Sequence, residues 1–121
     1  ISANRQVWIN SLRDAVSELL SELAMVTNHT KNISDHEDKY LKEPFTGYLR
    51  KIVFIRSKIV LLINPREEKA INLISAIEAY SDVCFNPFLI EGDTATRARE
   101  EVIKITQEIL KEEWERVKKV E

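Results

Sequence analysis

Apolar residues recur at helical spacing along four stretches of the chain, and polar segments rich in turn-forming residues separate them. At about 100° per residue, Trp8, Leu12, Val16, Leu19, Leu20, Leu23 and Val26 fall in one arc roughly 120° wide. That stripe faces a core and predicts a first helix over about residues 3–29. Residues 28–43 are polar, and the ring of Pro44 clashes with a preceding helical turn, so a loop is expected there. Ser34 followed by Glu37 has the form of a capping box and predicts a short helix over 35–41 within that loop.

A second helix is expected over about residues 44–63, where apolar side chains from Phe45 to Ile63 cover about half the circumference. On that count it is the most buried element. The density of Ile, Val and Phe also invites a strand over residues 51–63, but strict alternation fails at Val53-Phe54-Ile55 and again over 59–63. Asn64-Pro65 ends this helix and predicts the start of a third, over about 65–83, with Asn64 as cap, Pro65 in the first turn, and Glu67 and Glu68 facing the positive end of the dipole. Its stripe is Ala70, Leu73, Ile74, Ile77 and Tyr80. Asn86-Pro87 and Gly92 mark an irregular connection whose Phe85, Phe88, Leu89 and Ile90 are expected to cap one end of the core. Asp93 or Thr94 can cap a fourth helix, over about 94–119, whose stripe runs from Ala98 through Val102, Ile105 and Ile109 to Val117. With two glycines in the whole chain there is little provision for tight hairpins. The expectation is an all-α, antiparallel four-helix bundle in up-down-up-down order, a single domain over residues 1–121.

Composition narrows the function classes. Eighteen basic and twenty acidic side chains give a net charge of −2, without the positive excess that phosphate-dominated binding needs, so no nucleic-acid partner is expected. The lone Cys84, between Val83 and Phe85, excludes an internal disulfide framework and reads as a small core residue in a reducing compartment. The longest apolar run, residues 59–63, is far too short to span a bilayer. The chain opens at Ile1 without a Met, and its first helical repeat begins almost at once. The expectation is therefore the soluble part of a longer chain.

Up-down-up-down topology places both chain ends and the Asn64-Pro65 turn at one pole. Residues 1–10, 58–70 and 114–121 carry seven basic against four acidic side chains, while 22–45 and 82–99 at the other pole carry five against eight. A positive pole suits a domain standing on an anionic membrane surface, to which each nearby base contributes about 1 kcal/mol. A mixed surface also produces such asymmetry by chance.

Three charged residues fall inside apolar arcs: Arg5, Arg56 and Glu113. If the first and fourth helices run antiparallel, Arg5 lies level with Glu113 and Trp114. A buried ion pair beside a Trp8–Trp114 cluster is then expected, fixing helix register in preference to binding a ligand. Arg56 finds no partner at its level on the first helix and is either an edge residue reaching outward or the basic floor of an interhelical anion pocket. His29, Asp35, His36, Glu37 and Asp38 have metal-capable side chains, but two histidines seven apart on a loop do not define a site, so no metal is expected. Asn28-His29-Thr30 and Asn32-Ile33-Ser34 match the glycosylation pattern and read as loop chemistry. There is no P-loop, no Gly-rich dinucleotide turn, no nucleophile with a nearby His, and no inward Glu-x-x-His pair, so neither catalytic residues nor cofactors are expected.

Three short motifs span nearly the whole chain: Arg5-Gln6-x-Trp8-Ile9-x-x-Leu12-Arg13-Asp14, Leu62-Ile63-Asn64-Pro65 with Glu67 or Glu68, and Glu113-Trp114-x-Arg116-Val117-Lys118. Together they resemble a group of uncharacterised bacterial proteins in which a hydrophobic membrane segment precedes the Arg-Gln-x-Trp motif and a cytosolic helical domain follows. The middle motif departs mildly, with Leu-Ile-Asn-Pro in place of Leu-Leu-Asn-Pro. The resemblance implies a membrane-anchored topology on the cytoplasmic face of the inner membrane and transfers no catalytic residue. Arg5, Gln6, Arg13, Arg116, Lys118 and Lys119 are then candidates for an interaction or membrane-proximal surface. For Trp8, Ile9 and Leu12 the alternative is plain core, with Arg5 paired to Glu113 and Arg13 on solvated surface. The functional expectation is a non-enzymatic interaction or oligomerisation module, acting through a protein partner or self-association. A small-anion sensor using Arg56 is the alternative. A contiguous exposed apolar strip favours assembly, and an apolar cavity with one internal base favours sensing.

Overall fold

The computed structural model describes residues 2–32, 43–90 and 92–120. Four helices account for nearly all of them: α1 (Ser2–Lys31), α2 (Phe45–Leu62), α3 (Glu68–Cys84) and α4 (Thr94–Val120). The all-α bundle expected from periodicity is what forms. Ile9, Leu12, Leu19, Leu23 and Val26 of α1 are almost wholly buried and meet Ile55 and Ile59 of α2, Leu73 and Ile77 of α3, and Val102 of α4 in one core. Burying each such side chain contributes about 1.5–3 kcal/mol relative to leaving it in water.

The seams between helices are unequal. α1 lies close against α2 and α4 and also approaches α3, and α3 lies against α4. α2 and α3 share the core side chains but make no comparable backbone approach. α2 is therefore held along α1, and its flank toward α3 stays open. This corrects the reading of α2 as the most buried element. Phe45, Ile52, Ile55 and Ile59 are buried, but Leu49, Val53, Phe54, Val60 and Leu61 are exposed, Leu61 at 86%.

Local chemistry moves two helix ends from their expected places. α1 continues to Lys31, because Thr30 is buried and its Oγ1 donates a 2.7 Å hydrogen bond to the Cys84 carbonyl. Asn28-His29-Thr30 is thus helical instead of loop, and the His29 ring packs against Phe45 and Tyr48, 6.0 and 5.4 Å between centroids. α3 begins at Glu68, three residues later than expected from Pro65. Asn64 Oδ1 accepts the Arg66 amide at 3.0 Å and the Asn64 carbonyl accepts the Glu67 amide at 3.1 Å, closing a separate turn. Glu67 is then extended (φ −83°, ψ 135°), and the helix starts only after it. At α4 the Asp93 carbonyl accepts the Arg97 amide, as expected of a residue flanking a helix start, while its carboxylate engages the Arg97 guanidinium.

The α3–α4 connection caps the core only in part. Ile90 is buried and Phe85 packs on the core, but Phe88 and Leu89 face outward, Phe88 at 81% exposure. Gly92 adopts φ 68°, a left-handed value that penalises any side chain with a Cβ. The short helix expected over 35–41, and Asp35, His36, Glu37 and Asp38, lie outside the described residues.

Candidate functional site

The open flank between α2 and α3 forms a cleft of about 780 Å³, lined by Leu49, Ile52 and Val53 on one side and Phe85 and Phe88 on the other. Arg56 and Glu78 face one another across it and form an ion pair. The sequence placed Arg56 without a partner at its level on the first helix. The partner comes instead from α3, which runs antiparallel to α2 and brings Glu78 level with Arg56. Both side chains remain about half exposed, at 40% and 53%. Asp82, one turn further along α3, lines the same cleft, so the base at its floor is offset by two carboxylates. The Ser81 hydroxyl, also in the cleft wall, is buried without a hydrogen-bond partner.

The apolar stripe extends beyond the cleft. Leu49, Val53 and Val60 recur at four- and seven-residue spacing, on one line along α2, and Ile71 shares a line with Glu78 and Asp82 on α3. Charge divides along the same boundary. α2 carries Arg50, Lys51, Arg56 and Lys58 and no acidic residue. α3 carries Glu68, Glu78 and Asp82, and its one base, Lys69, pairs with Glu112 on α4. That hydrogen bond holds the Lys69 ammonium above its ordinary value and the Glu112 carboxyl below its own.

The second grouping sits at the pole holding both chain ends. Arg5 Nη1 lies 3.5 Å from Glu113 Oε1, as the register of antiparallel α1 and α4 required. The pair is part-buried: Arg5 is 35% and Glu113 17% exposed, and Glu113 is shared with Arg116 at 3.2 Å. Trp8 donates its Nε1–H to the Leu62 carbonyl at 2.7 Å, tying the start of α1 to the end of α2. Trp114 is 42% exposed, with the Lys118 ammonium 5.7 Å over its ring. Asn4, Arg5, Trp8, Asn64 and Arg116 line a cleft of about 320 Å³ at this pole. Arg13 is exposed and donates to Asn10 Oδ1 at 3.3 Å, Gln6 is half-buried, and Lys119 is exposed.

Arg99 reaches inward to the Leu20 carbonyl at 3.2 Å and the Tyr80 hydroxyl at 3.4 Å. Desolvation pushes both the Tyr80 phenol and the Cys84 thiol above their ordinary values, which leaves Cys84 a protonated core side chain. Among the described residues no group of three or more His, Cys, Asp or Glu side chains is placed to hold a metal ion, and no helix is long and apolar enough to cross a membrane. Searches against family models, curated proteins and solved structures find no match to this chain.

Proposed function

We propose that this chain is a non-enzymatic interaction or oligomerisation module, the cytosolic part of a bacterial membrane-anchored protein. One observation carries the interaction reading: the flank between α2 and α3 exposes Leu49, Val53, Val60, Ile71 and Phe88 where a bundle would ordinarily close. Apolar side chains aligned along a groove form the surface into which another helix lays its own apolar face. The small-anion reading is less well supported, because Arg56 is neutralised by Glu78 and accompanied by Asp82. An anion there would have to displace a carboxylate. The membrane placement rests on the basic pole, where Arg66, Lys118 and Lys119 are exposed beside the chain ends.

The test is site-specific photo-crosslinking in the full-length protein in its own cells, with the photoreactive residue at position 49 and a control at exposed Lys111 on α4. A discrete polypeptide adduct from position 49, identified by mass spectrometry and lost when Val53→Asp is added, is expected. No polypeptide adduct from position 49, or equal yield from position 111, overturns the reading.

A further inference from the structure

We propose that the occupant of the α2–α3 groove is a second copy of this chain, related by a two-fold axis parallel to the groove. This rests on the interaction reading above and names its partner.

The argument is the charge division across the face. A two-fold axis lying in a face-to-face interface can run along the groove or across it. Run across it, the axis sets α2 on the partner copy's α2 and α3 on its α3. Lys51 turns to Glu22 on α1 and Lys58 lies beside Asp14 and Glu18, so Arg50 and Arg56 are the bases on the groove side; that arrangement sets them against the partner copy's basic helix and Glu78 and Asp82 against its acidic one. Run along it, the axis sets α2 of each copy on α3 of the other, and Arg50 and Arg56 meet the helix that carries Glu78 and Asp82. Isologous interfaces must be self-complementary, and only the second arrangement makes this face so.

The levels also match. The Arg56–Glu78 pair fixes which residues of α2 and α3 stand side by side, and an axis along the groove leaves that height unchanged. Arg56 of one copy therefore stands level with Glu78 of the other. Moving toward the Leu49 end, Arg50 is six residues from Arg56 and Asp82 four from Glu78, about 9 Å and 6 Å along their helices at 1.5 Å per residue, so these two also come within about 3 Å in height. Arg50 is 80% exposed and its nearest carboxylate, Glu43, is 3.8 Å away, which leaves it open to a closer partner. The apolar stripes follow the same register. Leu49 of one copy comes level with Phe85 of the other, each seven residues from the ion pair, and Val60 and Ile71, four and seven residues from it in the other direction, stand within one helical turn of each other. Buried in this way, the exposed stripe of α2 gains the cover that α3 does not supply within one copy.

The test is light scattering and sedimentation on the whole chain from micromolar to millimolar concentration, with charge-reversal variants. The expected result is a dimer at twice 14.1 kDa. R56E and E78R, each alone, are expected to weaken dimerisation about tenfold or more, because each places like charges against one another across the interface. An equimolar mixture of the two variants is expected to recover the dimer mass, since the acidic face of one then meets the basic face of the other. Circular dichroism melts confirm that each variant folds, as expected for a half-exposed pair. A strict monomer over the whole range, a dimer unaffected by either reversal, or a mixture that fails to recover overturns the proposal. The crosslinking at position 49 separates this failure from failure of the interaction reading: a monomer whose groove crosslinks to a different polypeptide keeps the module and rejects the second copy. A monomer with no polypeptide adduct rejects both.

Discussion

Replacing Thr30 with Val isolates one hydrogen bond whose loss the packing cannot repair. Thr30 is 1% exposed at the end of α1, and its Oγ1 donates to the Cys84 carbonyl at 2.7 Å. That carbonyl belongs to the last residue of α3, whose terminal carbonyls have no amide ahead of them in the helix. The amide that a longer helix would offer it, that of Phe88, instead meets Asn86 Oδ1 at 2.9 Å. Val matches Thr in shape, so no cavity opens and the change reads on the hydroxyl alone. Leaving a buried acceptor without a partner costs about 1–3 kcal/mol, and the extra methyl recovers a little through apolar burial. A net loss of about 2 kcal/mol corresponds to roughly 6–10 °C in Tm for a domain of this size. Chemical denaturation followed by circular dichroism measures it, with Thr30→Ser as the comparison that keeps the donor and loses a methyl. If Thr30→Val matches the parent within about 0.5 kcal/mol, the hydroxyl is not holding the end of α3 and the reasoning fails.

Two further outcomes follow from the same physics. Arg5→Ala and Glu113→Ala are each expected to cost about 1 kcal/mol or less by denaturant titration, because the pair is partly solvated, and a loss of several kcal/mol would show that it behaves as buried. Stability is also expected to decline in acid. Glu112, held by Lys69, and Asp93, held by Arg97, have lowered carboxyl values in the folded state. Their contribution is present above the ordinary values of 4.5 and 3.8 and is lost as pH falls through the depressed ones. Thermal midpoints taken between about pH 2 and 6 should therefore decline less steeply in Glu112→Gln than in the parent, and parallel curves would contradict this.

Much of the bundle was legible in the sequence because a helical stripe reports burial wherever neighbours exist to cover it. Leu12, Leu19, Leu23 and Val26 are buried as their spacing required, and antiparallel register correctly set Arg5 level with Glu113. The groove was not legible. Counting apolar residues around α2 measures how much surface needs cover, and the number of neighbours that arrive is a property of the assembled helices. Leu49 and Val53 carry the same signature as Ile52 and Ile55, and only the missing close approach of α3 separates them. Arg56 looked unpartnered because its level was compared with the first helix, while Glu78 waited on the third. Sorting charges by pole also concealed the signal that sorting by helix reveals, four bases and no acid on α2 beside a predominantly acidic α3. The end of α1 was hidden for a different reason: Asn28 to Thr30 have turn-like composition, and the bond that keeps them helical reaches to a residue 54 positions away.

The uneven seams divide the molecule into units that need not open together. α1, α3 and α4 brace one another on several sides, whereas α2 leans on α1. Local unfolding follows the density of packing contacts, so α2, whose close backbone approach is to α1, is the helix with the fewest neighbours to hold it in place. The helix that bears the basic half of the groove is thus also the one braced on the fewest sides. Anything that covers its outer stripe does more than bind: it gives the least braced of the four helices a second wall and makes its outer stripe part of a continuous interior.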